Sequence, residues 1–123
     1  MRISSEDFFN QMLLFFPSTQ SEYVKIKSEY GELFETIVIE DIFMPMIIEL
    51  LRKKENIIKL EGIFDYFEDV SGHGDEHLVN IFVITVLEIL GNDKKILNEA
   101  KKYMGMKTAI LQMKADKALG RNI

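Results

Sequence analysis

The chain contains no cysteine, which excludes disulfides, thiolate metal sites and cysteine nucleophiles and fits a reducing compartment. It also lacks a long apolar run. Met12–Phe16 is too short for a signal-peptide core or a membrane span, so the expectation is a cytoplasmic protein that does not enter a membrane. No βαβ alternation and no period-two strands joined by hairpin turns occur. A phosphate-cradling glycine loop, a G-x-S-x-G elbow and a serine or threonine with an evident partner histidine are all missing, so nothing assembles a nucleophile and its base. Base is scarce in one region: between Glu55 and Asn92 there are eight acidic side chains and only Lys59 to oppose them.

What is present is helical. With 123 residues, 47 % hydrophobic and 28 % charged, the chain reads as a single domain over 1–123 with one sizeable core. Ser4 or Ser5 caps a first helix whose stripe is Phe8, Phe9, Met12, Leu13 and Phe16, and Pro17 ends it. A second helix runs from Ser18 or Thr19 to Tyr30. The third segment, Glu32 to about Lys54, keeps helical period, but Pro45 should kink it or split it in two near Asp41–Pro45.

Beyond it the pattern predicts a helix over Asn56–Val70 and a break at Ser71-Gly72-His73-Gly74. A helix over Asp75–Leu90 follows, apolar on nearly every face and therefore central. Asp93 caps a helix through Met104, and Thr108–Leu119 forms the last. The fold class is all-α: five to seven helices in an antiparallel bundle or a short stack of helix pairs.

The stretch Ile57–Glu76 carries the strongest functional signal. At 100° per residue Ile57, Leu60, Ile63, Phe64, Phe67 and Val70 share one arc, while Glu61, Asp65, Glu68 and Asp69 lie opposite. Only Ile58 intrudes on that acidic side. Asp75 and Glu76 follow directly. Like charges at i,i+4 cost a few tenths of a kcal/mol, and Glu61, Asp65 and Asp69 stand at that interval. An unmixed acidic face is thus a local cost with two readings: a basic partner, or neutralisation inside the fold. The second has support in the charge layout. Through Asn92 the chain carries 17 acids and 7 bases, and from Asp93 onward 3 acids and 8 bases.

Two further constellations are weaker. His73-Gly74-Asp75-Glu76-His77 spells H-x-x-E-H, a zinc-hydrolase motif that needs both histidines on one helical turn. Glycines flank His73, and Asp75 looks like an N-cap, so the expectation is a polar loop with no metal and no catalytic residue. A metal-dependent hydrolase using His73, Glu76 and His77 is the enzymatic alternative. The eight bases of the C-terminal part include only one arginine and are interleaved by only one aromatic, Tyr103, in an acidic protein, which argues against nucleic-acid binding. No cofactor is expected.

Val79–Leu90 (VNIFVITVLEIL), with the later Tyr103-Met104-Gly105 and Lys107-Thr108 turn in KKYMGMKTAILQMKADKALGR, resembles a small all-helical bacterial family of uncharacterised domains. That family is associated with immunity proteins of polymorphic-toxin and contact-dependent-inhibition systems. The resemblance implies a protein that binds and blocks a cognate toxin domain, commonly a nuclease with a basic surface. On the residues themselves, the partner-binding set is Glu61, Asp65, Glu68, Asp69, Asp75 and Glu76. A helical adaptor or regulatory subunit is the non-enzymatic alternative. Its oligomeric state is left open.

Overall fold

Ser4 and Asp7 close the first helix reciprocally. The Asp7 N–H donates to the Ser4 hydroxyl at 3.1 Å and the Ser4 N–H donates to the Asp7 carboxylate at 3.0 Å, so two otherwise orphaned amides are satisfied. In the computed structural model, which describes residues 2–121, this helix is α1 (Ser5–Phe15). Pro17 opens a single 3₁₀ turn, Pro17–Thr19, in which the buried Thr19 hydroxyl donates to the Phe16 carbonyl at 2.6 Å. α2 (Gln20–Tyr30) follows and stops at Gly31, whose φ of 54° suits a residue without Cβ.

Pro45 does not break the third helix. α3 is continuous through Phe34–Val38, a π turn at Ile39–Phe43 and Met44–Lys53. The widened turn lies immediately before the proline, where its ring would otherwise meet a carbonyl of the preceding turn. α4 is Ile57–His73, three residues longer at its C-terminal end than the sequence predicts, and the break falls on Gly74 and Asp75. α5 runs through Glu76–Ile81, a second π turn at Phe82–Leu87 and Glu88–Leu90. α6 is Lys94–Lys101, capped by Asp93 through the Lys95 N–H at 2.8 Å, and α7 is Met106–Ala118. The fold is all-α. Among the described residues no strand forms, only one isolated parallel bridge between Ile3 and Gly74.

Aromatic rings join the helices. Phe67 of α4 packs edge-on against Phe64 and Phe82 at 5.1 Å each, and stacks on Phe8 of α1 at 6.4 Å. Phe9 carries the cluster toward Tyr23, Phe34 and Phe43. A buried phenylalanine stabilises by about 1.5–3 kcal/mol relative to an exposed one, so this chain of rings sets the relation of α1, α4 and α5. α5 is central as its composition requires, with Ile84 alone of its large apolar residues turned to solvent.

α7 joins the core by a different device. Gln112 Nε2 donates to the Leu87 carbonyl at 2.9 Å and to Asp116 at 3.1 Å. Asp116, fully buried, is also bound by Arg121 at 3.0 Å, and Arg121 reaches the Asn92 side chain as well. Gly91 lies beside this cluster, and a Cβ there would overlap both Asp116 and Arg121.

Candidate functional site

α4 begins at Asn56, which adopts φ 51° and accepts from the Lys59 N–H. Its apolar arc is buried as the spacing predicts: Leu60, Ile63, Phe64, Phe67 and Val70 are each 0 % exposed. Ile57 departs from that arc, since at the first turn nothing covers it and it is 44 % exposed. On the opposite side Glu61, Asp65 and Asp69 are exposed, together with Ile58 at 83 %. They form a ridge.

Lys59, the lone base of this region, does not neutralise the ridge. Its Nζ donates to the Phe15 carbonyl at 2.7 Å and sits 5.1 Å from the Phe16 ring centre. It therefore serves the C-terminus of α1, where carbonyls lack helical partners and a cation is favoured. The C-terminal bases do not neutralise it either. Lys102 pairs with Glu99, which Lys54 also approaches, and Arg121 pairs with Asp116. Among the described residues no ion pair joins Glu61, Asp65 or Asp69 to any cation.

Glu68 belongs to the fold and not to the ridge. α7 starts at Met106 after Gly105, which offers no capping side chain. Glu68 supplies what is missing: it accepts from the N–H groups of Lys107 and Thr108 at 2.9 Å each and from the Thr108 hydroxyl at 2.8 Å. Ser71 Oγ lies 2.9 Å from Thr108 Oγ1 and also donates toward the Phe67 carbonyl. Partial burial pushes the Glu68 carboxyl up, but those three donors and the nearby Lys107 charge outweigh it and hold it below the usual range. Gly105 is required here, because a Cβ would run into the Glu68 carboxylate. The contact to α7 was signalled in the sequence only by a helix that begins without Ser, Thr, Asp or Asn before it.

Asp75 is likewise engaged. It is the N-cap of α5, accepting from the Leu78 N–H at 2.8 Å, and its own N–H donates to the Ile3 carbonyl at 2.8 Å. Glu76 remains exposed on the first turn of α5. Of the six residues expected to meet a partner, Glu61, Asp65 and Asp69 share one ridge, Glu76 stands beyond its end, and Glu68 and Asp75 are bound internally.

Tyr66 connects the ridge to α1. Its ring stacks on Phe8 at 6.1 Å and meets Phe15 edge-on at 6.5 Å. Burial, then the charges of Asp7 and Asp69, push its hydroxyl up to about 12. The phenol floors a shallow groove of about 330 Å³ that also takes in Asp7, Asn10, Gln11 and Leu14.

The H-x-x-E-H spelling does not form one helical turn. His73 ends α4, Gly74 and Asp75 intervene, and His77 lies in α5, where Nε2 is 2.8 Å from Glu35 of α3. Among the described residues no three His, Asp or Glu side chains converge to hold a metal ion. A cleft of about 560 Å³ between α3 and α6 is lined by Arg52, Lys54, Lys95 and Lys102. Its two acids are spent, Asp93 on the α6 cap and Glu99 on Lys54 and Lys102. None of the helices is long and apolar enough to cross a membrane, among the described residues.

The arrangement defines an all-α domain with an acidic ridge that no ion pair neutralises among the described residues. The chain belongs to the family described as a domain of unknown function, DUF7674, which matches residues 9–119. No curated protein and no solved structure matches the chain.

Proposed function

We propose that this domain is a binding protein that neutralises a cognate bacterial toxin domain by laying its acidic ridge against a basic surface. The observation that carries the reading is the state of Glu61, Asp65 and Asp69: exposed, repelling one another at i,i+4, and in no ion pair among the described residues although the chain holds 15 lysines and arginines. A nuclease cleft built for phosphate offers the complementary charge. Such complementarity raises the association rate and selects the partner. The toxin itself is argued from the Val79–Leu90 and Tyr103–Thr108 resemblance. Glu68, Gly105 and Thr108 hold that second motif together as a structural turn.

The test is association with the protein encoded beside this one, measured at two ionic strengths. The triple reversal of Glu61, Asp65 and Asp69 to lysine should abolish binding while helicity by circular dichroism is retained. Unchanged affinity in that variant would overturn the reading. A helical adaptor for some other basic protein would use the same ridge, and the identity of the captured partner separates the two.

A further inference from the structure

α7 exposes a face as uniform as the ridge and opposite to it in sign. Its outward side chains from Met106 to Lys117 are Met106, Lys107, Ile110, Met113, Lys114 and Lys117. Every one is lysine or large and apolar. The helix's one acid, Asp116, is buried. Met106 is 79 % exposed, Met113 61 % and Ile110 48 %, three large apolar side chains at i, i+4 and i+7 on one helix face.

α4 and α7 pack side by side, so the acidic ridge and the lysine–methionine face are neighbours on one molecule. Lys107 lies over Gly72 of α4 with its charge near Glu68, but Glu61, Asp65 and Asp69 are in no ion pair with α7 among the described residues. The polar links between the two helices are the Glu68 cap on Lys107 and Thr108 and the contact of Ser71 with the Thr108 hydroxyl. Two adjacent faces that are complementary yet unpaired within a chain are self-complementary between chains. A two-fold axis beside the α4–α7 seam sets α7 of one copy along α4 of the other, and each contact then occurs twice. Carboxylates meet lysines in both halves, and Ile58 finds methionine side chains flexible enough to fill an irregular gap.

We infer that a second copy of this chain covers the α4–α7 face, forming a two-fold dimer held by Glu61, Asp65 and Asp69 against Lys114 and Lys117 of α7 around Ile58, Met106, Ile110 and Met113. The dimer occupies the ridge assigned above to a basic partner, so self-association and partner binding exclude each other. The inference does not depend on that partner, because its measurement uses the protein alone.

The experiment is sedimentation of the full chain over a concentration series at low and high ionic strength. The mass of two chains is expected at low salt, falling toward one as salt screens the contacts. Glu61→Lys with Asp65→Lys, and separately Lys114→Glu with Lys117→Glu, should each raise the dissociation constant by roughly tenfold or more. Mixed in equal amounts the two variants should regain the two-chain mass, since every charge contact is restored in the mixed dimer. Ile110→Asp, an exposed site on α7, should also give a monomer and serves if a reversed variant folds poorly. A wild-type chain that is monomeric throughout overturns the dimer and leaves the ridge reading standing. Variants that remain dimeric, or a mixture that does not re-pair, overturn the α4–α7 interface.

Discussion

Glu68 caps the helix of Thr108 across forty positions of sequence, through both the backbone N–H and the hydroxyl of that threonine. The last helix therefore takes its start signal from the fourth. Glu68→Ala should destabilise the protein by about 1.5–3 kcal/mol in urea unfolding, the range for hydrogen bonds to a charged group. Amide exchange at Lys107 and Thr108 should accelerate.

The same carboxylate gives a pH dependence of known sign. Its folded pKa lies below the ordinary 4.5, so its contribution is present above that value and is lost as pH falls through the lower, folded one. Wild-type stability should decline over this acid range more steeply than that of Glu68→Gln. Parallel declines in chemical denaturation at several pH values would refute the assignment.

Tyr66 reports on the ridge. Of the chain's four tyrosines, it should ionise near pH 12 in a spectrophotometric titration, because burial and then Asp7 and Asp69 disfavour the phenolate. Since its folded pKa is raised above 10.0, its contribution is full below that value and disappears as pH rises toward 12. Asp69→Asn should lower the midpoint, whereas Glu61→Gln should leave it unchanged.

Arg121→Ala removes the cation bound to Asp116, which is fully buried and keeps Gln112 Nε2 as a donor. Removing one partner of a buried pair costs about 3–5 kcal/mol, and the lower end applies because the Arg121 side chain keeps 21 % of its exposure. The accompanying replacement Asp116→Asn should recover part of the loss in thermal unfolding. Gly91→Ala should be damaging at the same place, since its methyl group would overlap the pair.

Replacing Asp65 by lysine should leave stability the same or raise it by a few tenths of a kcal/mol, because it converts repulsions with Glu61 and Asp69 into attractions. A residue that stabilises when changed is present for something other than folding. A clear loss of stability in Asp65→Lys would mean that the ridge is structural.

Side-chain period made most of the helices legible, and short-range capping made their starts legible. Asp75 and Asp93 stand where an Asp precedes an apolar run, and both cap as read. Leu60 to Val70 repeat at helical spacing and are buried. What spacing could not show was which polar residues the rest of the chain would claim. Glu68 and Asp65 lie on the same acidic side of α4, and the neighbour separates their roles: α7 arrives uncapped beside Glu68 and not beside Asp65. His73 and His77 looked like a pair in sequence, but the turn at Gly74 and Asp75 separates them and Glu35 of α3 takes His77. Gly72 and Gly74 suggested an early end to α4, yet Gly72 is helical and lies under the Lys107 side chain.

The two π turns, Ile39–Phe43 in α3 and Phe82–Leu87 in α5, pack against each other in the core. Each holds one residue more than an α turn needs while leaving the helix on either side in phase. The surplus residue acts as slack in the chain: losing it would shorten the bulge without rotating Met44–Lys53 or Glu88–Leu90 away from the faces they bury. Single-residue length differences among relatives are therefore easiest to absorb at these two places, deep in the protein, and not only in its loops.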